Sequence, residues 1–563
     1  EAEQQLDALR KKEPQNADWV HLTAILKKEQ NDLESSHQYF IKAIELVPNN
    51  VQIIQNFVFS YAGLNLWSEA SKIIIKYAKA EPHFSASASA YTNILIQAKQ
   101  IDLAKQWIAL MLECNGEDYH FWLLKNQIYQ CENNLEQACI CCLKAVRLDP
   151  ENHKIWLQFA TLLMEMRDFD FAEMAIARAL FFAPNDFDIL YLKASLYSLK
   201  LDLKKAVSVY DAMLKQRPDD DVIKWNRSLT NLQANNWADA WPDYEVRWKI
   251  PTFKNHVRNY DLPEWFGHAD QFGLTQLEHA LIPSQTRLLI FHEQGVGDQI
   301  LFSRLFKLLP TFEKLIISFD SRMKHLMQRS FTNATIITQE EEKKAIEIEH
   351  ITHQCPLASL PLRLGMTQSF EHGSTISNDQ TLHPDPHLTK KLRQKWVERA
   401  KGRHIIGISW AARSTQRNSD QRSIELTQLV PILKRKDCLF ISLQYGPVDE
   451  WLNEFNQQTS LTIAQDFEID NLDNLDGFAS LIAACDGIIT IGNLTTHFAG
   501  ALAKACWALI PYPDEAWHRM PFDKKMRWYP DVKIFRQDPL TKSWDKAVQS
   551  INLDVDRHFG HYT

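Results

Sequence analysis

Proline returns in this chain with a fixed beat: Pro14, Pro48, Pro82, Pro150, Pro184 and Pro218 are separated by 34 residues or by twice 34, and Gly116 fills the middle of the one double gap. A second series runs in the same register. Twelve residues before each mark from position 48 onward stands a small residue, Ser36, Ala70, Ala104, Ala138, Ala172 and Ala206, and one further step gives Ala240. Four residues after each small residue comes a larger apolar one: Phe40, Ile74, Ile108, Cys142, Ile176, Tyr210 and Tyr244. Trp122 and Trp156 keep the same spacing, with Leu190 next in line. A small residue lets two antiparallel helices approach closely, the larger one fills the seam, and proline follows the second helix because it cannot continue it. A 34-residue period of this kind is that of the tetratricopeptide repeat (TPR). About six repeats are predicted over residues 15–218 and a partial seventh ending near Trp248, a TPR superhelix over 1–250 whose concave face suits an extended polypeptide.

The pattern changes after Trp248. PTFKNHVRNYDLPEWFG is irregular, and residues 251–285 are expected to link to a second region. From Thr286 short apolar runs alternate with helical stretches. The predicted strands are 287–292, 314–319, 334–338, 404–411, 438–444, 487–492 and 506–511. Such alternation means βα units on parallel sheets. The polar stretch 370–400, with Pro384 and Pro386, divides them into two Rossmann-like lobes, 286–395 and 396–563, with a cleft at the carboxyl ends of the strands.

Four motifs fall at those strand ends. In FHEQGVGDQILF, Gly295 and Gly297 form a turn, and Asp298 opens a helix as either a cap or a general base. The third glycine of a dinucleotide fingerprint is missing. In GIITIGNLTTHFAGAL, a strand runs into Asn493, and Thr495, Thr496 and His497 begin a helix whose amino end suits a phosphate. Capping by Thr495 or Thr496 and an ordinary core role for His497 are the competing readings. In GISWAARSTQRNSDQRS, a strand reaches Trp410, and a loop carries Arg413, Arg417 and Arg422, which could clamp phosphates. In FISLQYG, Gln444 sits where it could meet a base, a ribose or a sugar.

Taken together, HEQGVGD (292–298), CPLASLPLRLG (355–365), ISWAARS (408–414), RSIEL (422–426), SLQYG (442–446), NLTTHFAGAL (493–502) and RWYPDVKIFRQ (527–537) resemble bacterial TPR glycosyltransferases, the flagellin-modifying type among them. The catalytic half of those enzymes is similar to the heptosyltransferases of glycosyltransferase family 9. The resemblance extends over essentially the whole chain. It implies a GT-B fold after the TPR superhelix and a nucleotide-sugar donor held mainly by the C-terminal lobe. It also implies inversion at the anomeric carbon with no metal or other cofactor, Asp298 as base, and the segment 493–497 at the donor diphosphate, where Thr495, Thr496 and a catalytic His497 would stabilise the charge growing on the phosphate. Gly295, Gly297, Trp410, Arg413, Arg422, Gln444, Asn493, Thr495, Thr496 and His497 are the expected donor-binding set. NLTTH also resembles the donor loop of the O-GlcNAc transferases. Tyr445 and Leu494 depart from the family, where lysine and threonine are frequent.

The expected activity is therefore transfer of a sugar to Ser or Thr of a protein acceptor, flagellin foremost, held by the repeats. A non-enzymatic adaptor with a degenerate second half and a lipopolysaccharide-type heptosyltransferase are the alternatives. The metal-binding Asp-x-Asp motif of GT-A enzymes is matched at Asp168–Asp170 and Asp186–Asp188, inside the repeats. A net charge of −8 argues against a general nucleic-acid binder. No apolar run reaches the ~18 residues of a membrane span. The polar start at Glu1 is not a secretory signal, and its lack of an initiating Met fits a processed or trimmed chain. Nine cysteines, with Cys139, Cys141 and Cys142 reading as packing rather than metal ligands, fit a reducing cytoplasm.

Overall fold

The computed structural model describes residues 13, 16–47, 50–62, 85–258, 260–267, 283–366, 379–412, 422–446, 448–514, 516–519, 521 and 523–560. Pro14, Pro48, Pro82, Ala70, Ile74, Arg413 and Arg417 lie outside them. The chain forms two compact units, Glu1–Leu196 and Tyr197–Thr563. The predicted repeats end near 250, so their last members belong to the second unit.

From Ala17 to Tyr244 the described chain is helical, in antiparallel pairs. The pairs obey one local rule. A residue in the left-handed region ends each first helix: Asn31, Lys99, Asn133, Arg167, Leu201 and Asn235, all in the 34-residue register. The following amide reaches back to the carbonyl five residues before it, as in Asp32 to Lys27, Asn134 to Tyr129 and Asp168 to Leu163. This closes the helix end and reverses the chain. Asp32, Asn134 and Asp168 then cap the next helix, their side chains accepting from the amides of Ser35, Gln137 and Phe171. Ser36, Ala104, Ala138, Ala172, Ala206 and Ala240 are buried, as are Phe40, Ile108, Cys142, Ile176, Tyr210 and Tyr244. The seam thus forms where the spacing put it. Asp186 accepts from the amides of Asp188 and Ile189, so both Asp-x-Asp strings begin with a residue that turns its carboxylate to a helix start.

The second unit carries two sheets. The first holds β1 (Arg287–Phe291), β2 (Lys314–Phe319), β3 (Thr335–Thr338) and β4 (His353–Pro356) in the order β3-β2-β1-β4, all parallel. The second holds β5 (His404–Ile408), β6 (Cys438–Ser442), β7 (Gly487–Ile491), β8 (Cys506–Ile510), β9 (Lys525–Met526) and β10 (Tyr529–Arg536) in the order β6-β5-β7-β8-β10-β9. All of its pairs are parallel except β9 with β10. β4, β9 and β10 are additions to the predicted strands. In β10, YPDVKIFR, only Tyr529, Val532 and Ile534 are buried, and in β4, HQCP, a proline ends a polar start. Neither shows a continuous apolar run. The helix Pro386–Ala400 spans the expected lobe boundary at 395 and packs on the second sheet, so the second lobe begins at Asp385, the helix cap.

In the first sheet the chain moves outward from β1 to β2 and β3, then returns to β4 on the other side of β1. In the second it moves from β5 to β6 and returns to β7. Each reversal opens a crevice at the carboxyl ends of the central strands. His292 follows β1 there, Ser409 follows β5 and Gly492 follows β7. The last repeat packs onto this region through aromatic rings: Trp237 stacks on Trp528, and Trp241 meets Phe302 and Trp517 edge-on.

Candidate active site

The glycine turn after β1 leads into the helix Val296–Ser303, with Gly295 as its extended cap residue. Gly297 sits in the first turn against the ring of His497. A side-chain carbon there would lie 3.1 Å from Cδ2 and 3.3 Å from Nε2 of the imidazole, so a larger residue would push the ring away by a few tenths of an ångström. The starts of two helices from different sheets, Val296–Ser303 and Leu494–Ala501, thereby meet.

Asp298 follows immediately. Its side chain is partly buried, and removal from water pushes the carboxyl up to about 6, against backbone hydrogen bonds at Gly295 and Asp298 that favour the charged form. Its charge acts on two buried phenols, Tyr244 and Tyr529, and burial pushes both of these up. Tyr244 belongs to the last repeat helix, Trp237–Tyr244. Its phenol oxygen accepts from Gln294 Nε2 at 2.8 Å, which ties the repeat to the glycine turn.

His497 is buried, and its Nδ1 is 3.2 Å from the Tyr529 hydroxyl. Burial, aided by the nearby Arg519 guanidinium, holds the imidazole down at about 3, so it is neutral near pH 7. Arg519 itself is clamped by both carboxylate oxygens of Asp514 at 2.6 Å. The Arg304 guanidinium lies 5.2 Å from the centre of the Tyr529 ring. A carboxyl that titrates near 6 beside a neutral imidazole and two phenols is a set suited to moving a proton near neutral pH.

Several expected donor contacts turn inward instead. Asn493, not a threonine, caps the helix Leu494–Ala501: its Oδ1 accepts from the Thr495 amide at 3.1 Å and its carbonyl from the Thr496 amide at 3.1 Å. Its Nδ2 donates to Ser409 Oγ at 3.0 Å. The Thr495 hydroxyl pairs with Ser409 at 3.2 Å, and Thr496 Oγ1 donates to the Ile491 carbonyl at 2.6 Å. Both hydroxyls are fully buried and stitch the ends of β5 and β7 together, so neither presents a donor to an anion.

Gln444 is corrected likewise. Its Oε1 accepts from the amides of Trp410 and Ala411, and its Nε2 donates to the carbonyls of Ala411 and Tyr445. Three of these four hydrogen bonds serve the turn after β5, and the fourth stays within the turn after β6. Trp410 is buried with its ring edge-on to Trp451, a core residue rather than a stacking platform. Arg422 stands half-buried beside this turn, where the Ile424 amide returns to the Trp410 carbonyl.

Asp298, Gly297 and His497 are thus brought together as a site. Asn493, Thr495, Thr496, Gln444 and Trp410 form the framework behind it. The sequence reading missed Tyr529, Tyr244, Arg519 and Arg304. Tyr529 stands in a motif already singled out, RWYPDVKIFRQ. Tyr244 carried only a packing signal, because its repeat register explained it fully.

No family model matches the chain. It is 22% identical over 554 residues to Protein FlbA of Caulobacter vibrioides, a match covering 94% of this chain and 82% of FlbA. Among solved structures it is similar to pilF of Pseudomonas aeruginosa, with a TM-score of 0.25 and 15% identity over 36% of this chain and 93% of that one. A tetratricopeptide repeat protein of Parabacteroides merdae gives a TM-score of 0.25 and 16% identity over 40% and 90%. YrrB, a TPR protein with an unusual peptide-binding site, gives 0.23 and 16% over 39% and 95%. Scores of this size carry no argument about site or activity. The fold itself is plain: the chain is a tetratricopeptide-type helical array followed by an α/β region of two mainly parallel sheets. Among the described residues no helix is long and apolar enough to cross a membrane.

Proposed function

We propose that the chain is an inverting, metal-independent protein O-glycosyltransferase of the GT-B type. It would move a sugar from a nucleotide-sugar donor to Ser or Thr of a protein acceptor such as flagellin, held by the repeats in the cytoplasm. The single observation that carries the reading is the contact of Gly297 with His497. It sets a carboxyl of near-neutral proton affinity at the crevices of two parallel sheets. The approach of Tyr244 to the glycine turn supports a route from repeat to site.

In this reading Asp298 takes the proton of the acceptor hydroxyl. The freed oxygen bonds to the anomeric carbon as the carbon's bond to the diphosphate oxygen breaks, and that oxygen keeps the electron pair. The amino end of the helix Leu494–Ala501 offsets the charge growing on the leaving phosphate. A positioned base of this kind contributes roughly 10²–10⁴-fold. Asp298→Asn should therefore lower turnover of a soluble acceptor by about that factor. Turnover within a few-fold of the parent would remove Asp298 from the role.

One observation favours a second reading, a TPR adaptor that binds no sugar nucleotide. The hydroxyls of Thr495 and Thr496 and the amide of Gln444 are all engaged within the protein. Calorimetry against a panel of nucleotide sugars decides between them, since binding to none favours the adaptor.

A further inference from the structure

A second concave surface lies away from the candidate active site. It is a groove of about 1250 Å³, lined by the helix Lys324–Ser330 and the residue that follows it by two, Thr332, by the connector at 380–386, and by the helix Pro386–Ala400. Residues at the amino ends of β7 and β8 complete it. Asp486 and Lys504 stand just before those strands, whereas Asn493 and His497 follow the carboxyl end of β7. Five strand residues, roughly 16 Å at ~3.3 Å each, separate the two regions.

Four cations line the groove: Arg329, Lys390, Arg393 and Lys504. Two carboxylates answer them, Asp486 bound to Arg393 at 2.6 Å and Asp476 bound to Arg329. A positive surplus therefore collects in one place on a chain whose net charge is −8. Lys504 is largely enclosed and donates to the Ala483 carbonyl at 3.2 Å. Burial, with Arg393 adding repulsion, holds its ammonium below the usual lysine range. An arriving anion would relieve that unfavourable charge. The Thr389 hydroxyl, also on the lining, is buried with no hydrogen-bond partner, and a buried polar atom of this kind calls for a ligand atom. No Phe, Tyr or Trp lines the groove among the described residues, so its lining offers cations rather than large aromatic rings.

We infer that this groove is a binding site for a diphosphate group, held by Lys390, Arg393, Lys504 and Arg329 with the Thr389 hydroxyl. The connector that forms one wall is tied to both lobes: Thr381 accepts from Arg304 Nη1 at 3.0 Å, and its amide donates to the Ala501 carbonyl at 2.8 Å. Occupancy would bridge the lobes where the chain passes between them. The site stands independently of the transfer reaction, since its readout is binding.

The test is calorimetry of the full chain with inorganic pyrophosphate, and in a parallel arm with uridine diphosphate. Lys390 is exposed and takes no partner among the described residues, so Lys390→Glu should leave the urea midpoint unchanged and weaken pyrophosphate by about tenfold. Lys391→Glu is the control, because Lys391 pairs with Glu468 instead of lining the groove, and it should change affinity by less than about twofold. Equal weakening of both probes by Lys390→Glu assigns the groove to the diphosphate of a nucleotide. Weakening of pyrophosphate alone assigns it to the free anion. No heat with pyrophosphate at millimolar concentration, or equal affinity in the parent and Lys390→Glu, overturns the proposal.

Discussion

Gly500→Ala places a methyl group where the fold leaves no room for one. Gly500 lies in the helix Leu494–Ala501, and a side-chain carbon built on it falls 2.2 Å from Cγ, 2.5 Å from Cδ1 and 2.6 Å from Cβ of Tyr529. Ordinary contact begins near 3.4 Å, so the ring would have to withdraw by 1.2 Å, the difference between 3.4 and 2.2. It has nowhere to go. Tyr529 is fully buried, its backbone pairs with Met526, and its hydroxyl partners His497. Overpacking of a dense core costs about 1–3 kcal/mol, and loss of the hydrogen bond to His497 about 1 kcal/mol more. Alanine returns about 1 kcal/mol of helix propensity. The net expectation is a loss of about 1–3 kcal/mol, felt directly at the candidate site. Hydrogen exchange of the helix amides, read by mass spectrometry, should show protection lower by roughly fivefold to a hundredfold. In a Tyr529→Leu background the same substitution should cost less, because the ring it strikes is gone. A Gly500→Ala protein whose helix is as protected as the parent's would refute the packing argument.

Other outcomes follow from the same structure. Arg247 is fully buried and donates to Glu245, Glu293 and Ser359. Arg247→Met strands the buried Glu293 carboxylate, while Glu245 keeps Arg363 and Ser359, and should lower stability by about 3–5 kcal/mol in urea unfolding. The folded-state pKa of Asp298 is raised, so its contribution to stability is complete below the ordinary value of 3.8 and lost as pH rises through about 6. Asp298→Asn should therefore gain stability relative to the parent across that window, and a flat difference would show that the carboxyl is not desolvated. In the active parent, kcat/KM should rise with pH and level off above about 6. A thiol reagent on native protein should modify the exposed Cys114 and Cys131 first, while Cys141, Cys142, Cys355, Cys438, Cys485 and Cys506 stay buried until unfolding.

The helical half was legible because its rule is local. One proline, one small residue and one seam filler recur at 34-residue spacing, and each acts on neighbours within a turn or a hairpin. The apolar strands β1, β2, β3 and β5–β8 were legible for a similar reason, since a strand buried on both faces is written as a continuous run. β10 was not, because only Tyr529, Val532 and Ile534 are buried in it and Asp, Lys and Arg interrupt its apolar signal.

The candidate site shows where local reading stops. Two motifs located Gly297 with Asp298 and, separately, His497, but 199 positions separate Asp298 from His497, and only the packing of two sheets brings their helices together. The same packing decided which polar groups would face outward. Thr495, Thr496 and Gln444 have the chemistry of ligand contacts in sequence. In the fold, at the ends of β5 and β7, Thr495 bonds to Ser409, Thr496 to the Ile491 carbonyl and Gln444 to the amides of Trp410 and Ala411. Buried polar atoms must be satisfied from whatever lies within reach, and reach is a property of tertiary structure alone. The sequence by itself determined a 34-residue helical repeat, a change to parallel βα units and the strand ends that could carry chemistry. The tertiary structure decided that the glycine turn closes on His497, that Tyr244 of the last repeat lies beside Asp298, and that a cationic groove opens at the opposite ends of the strands.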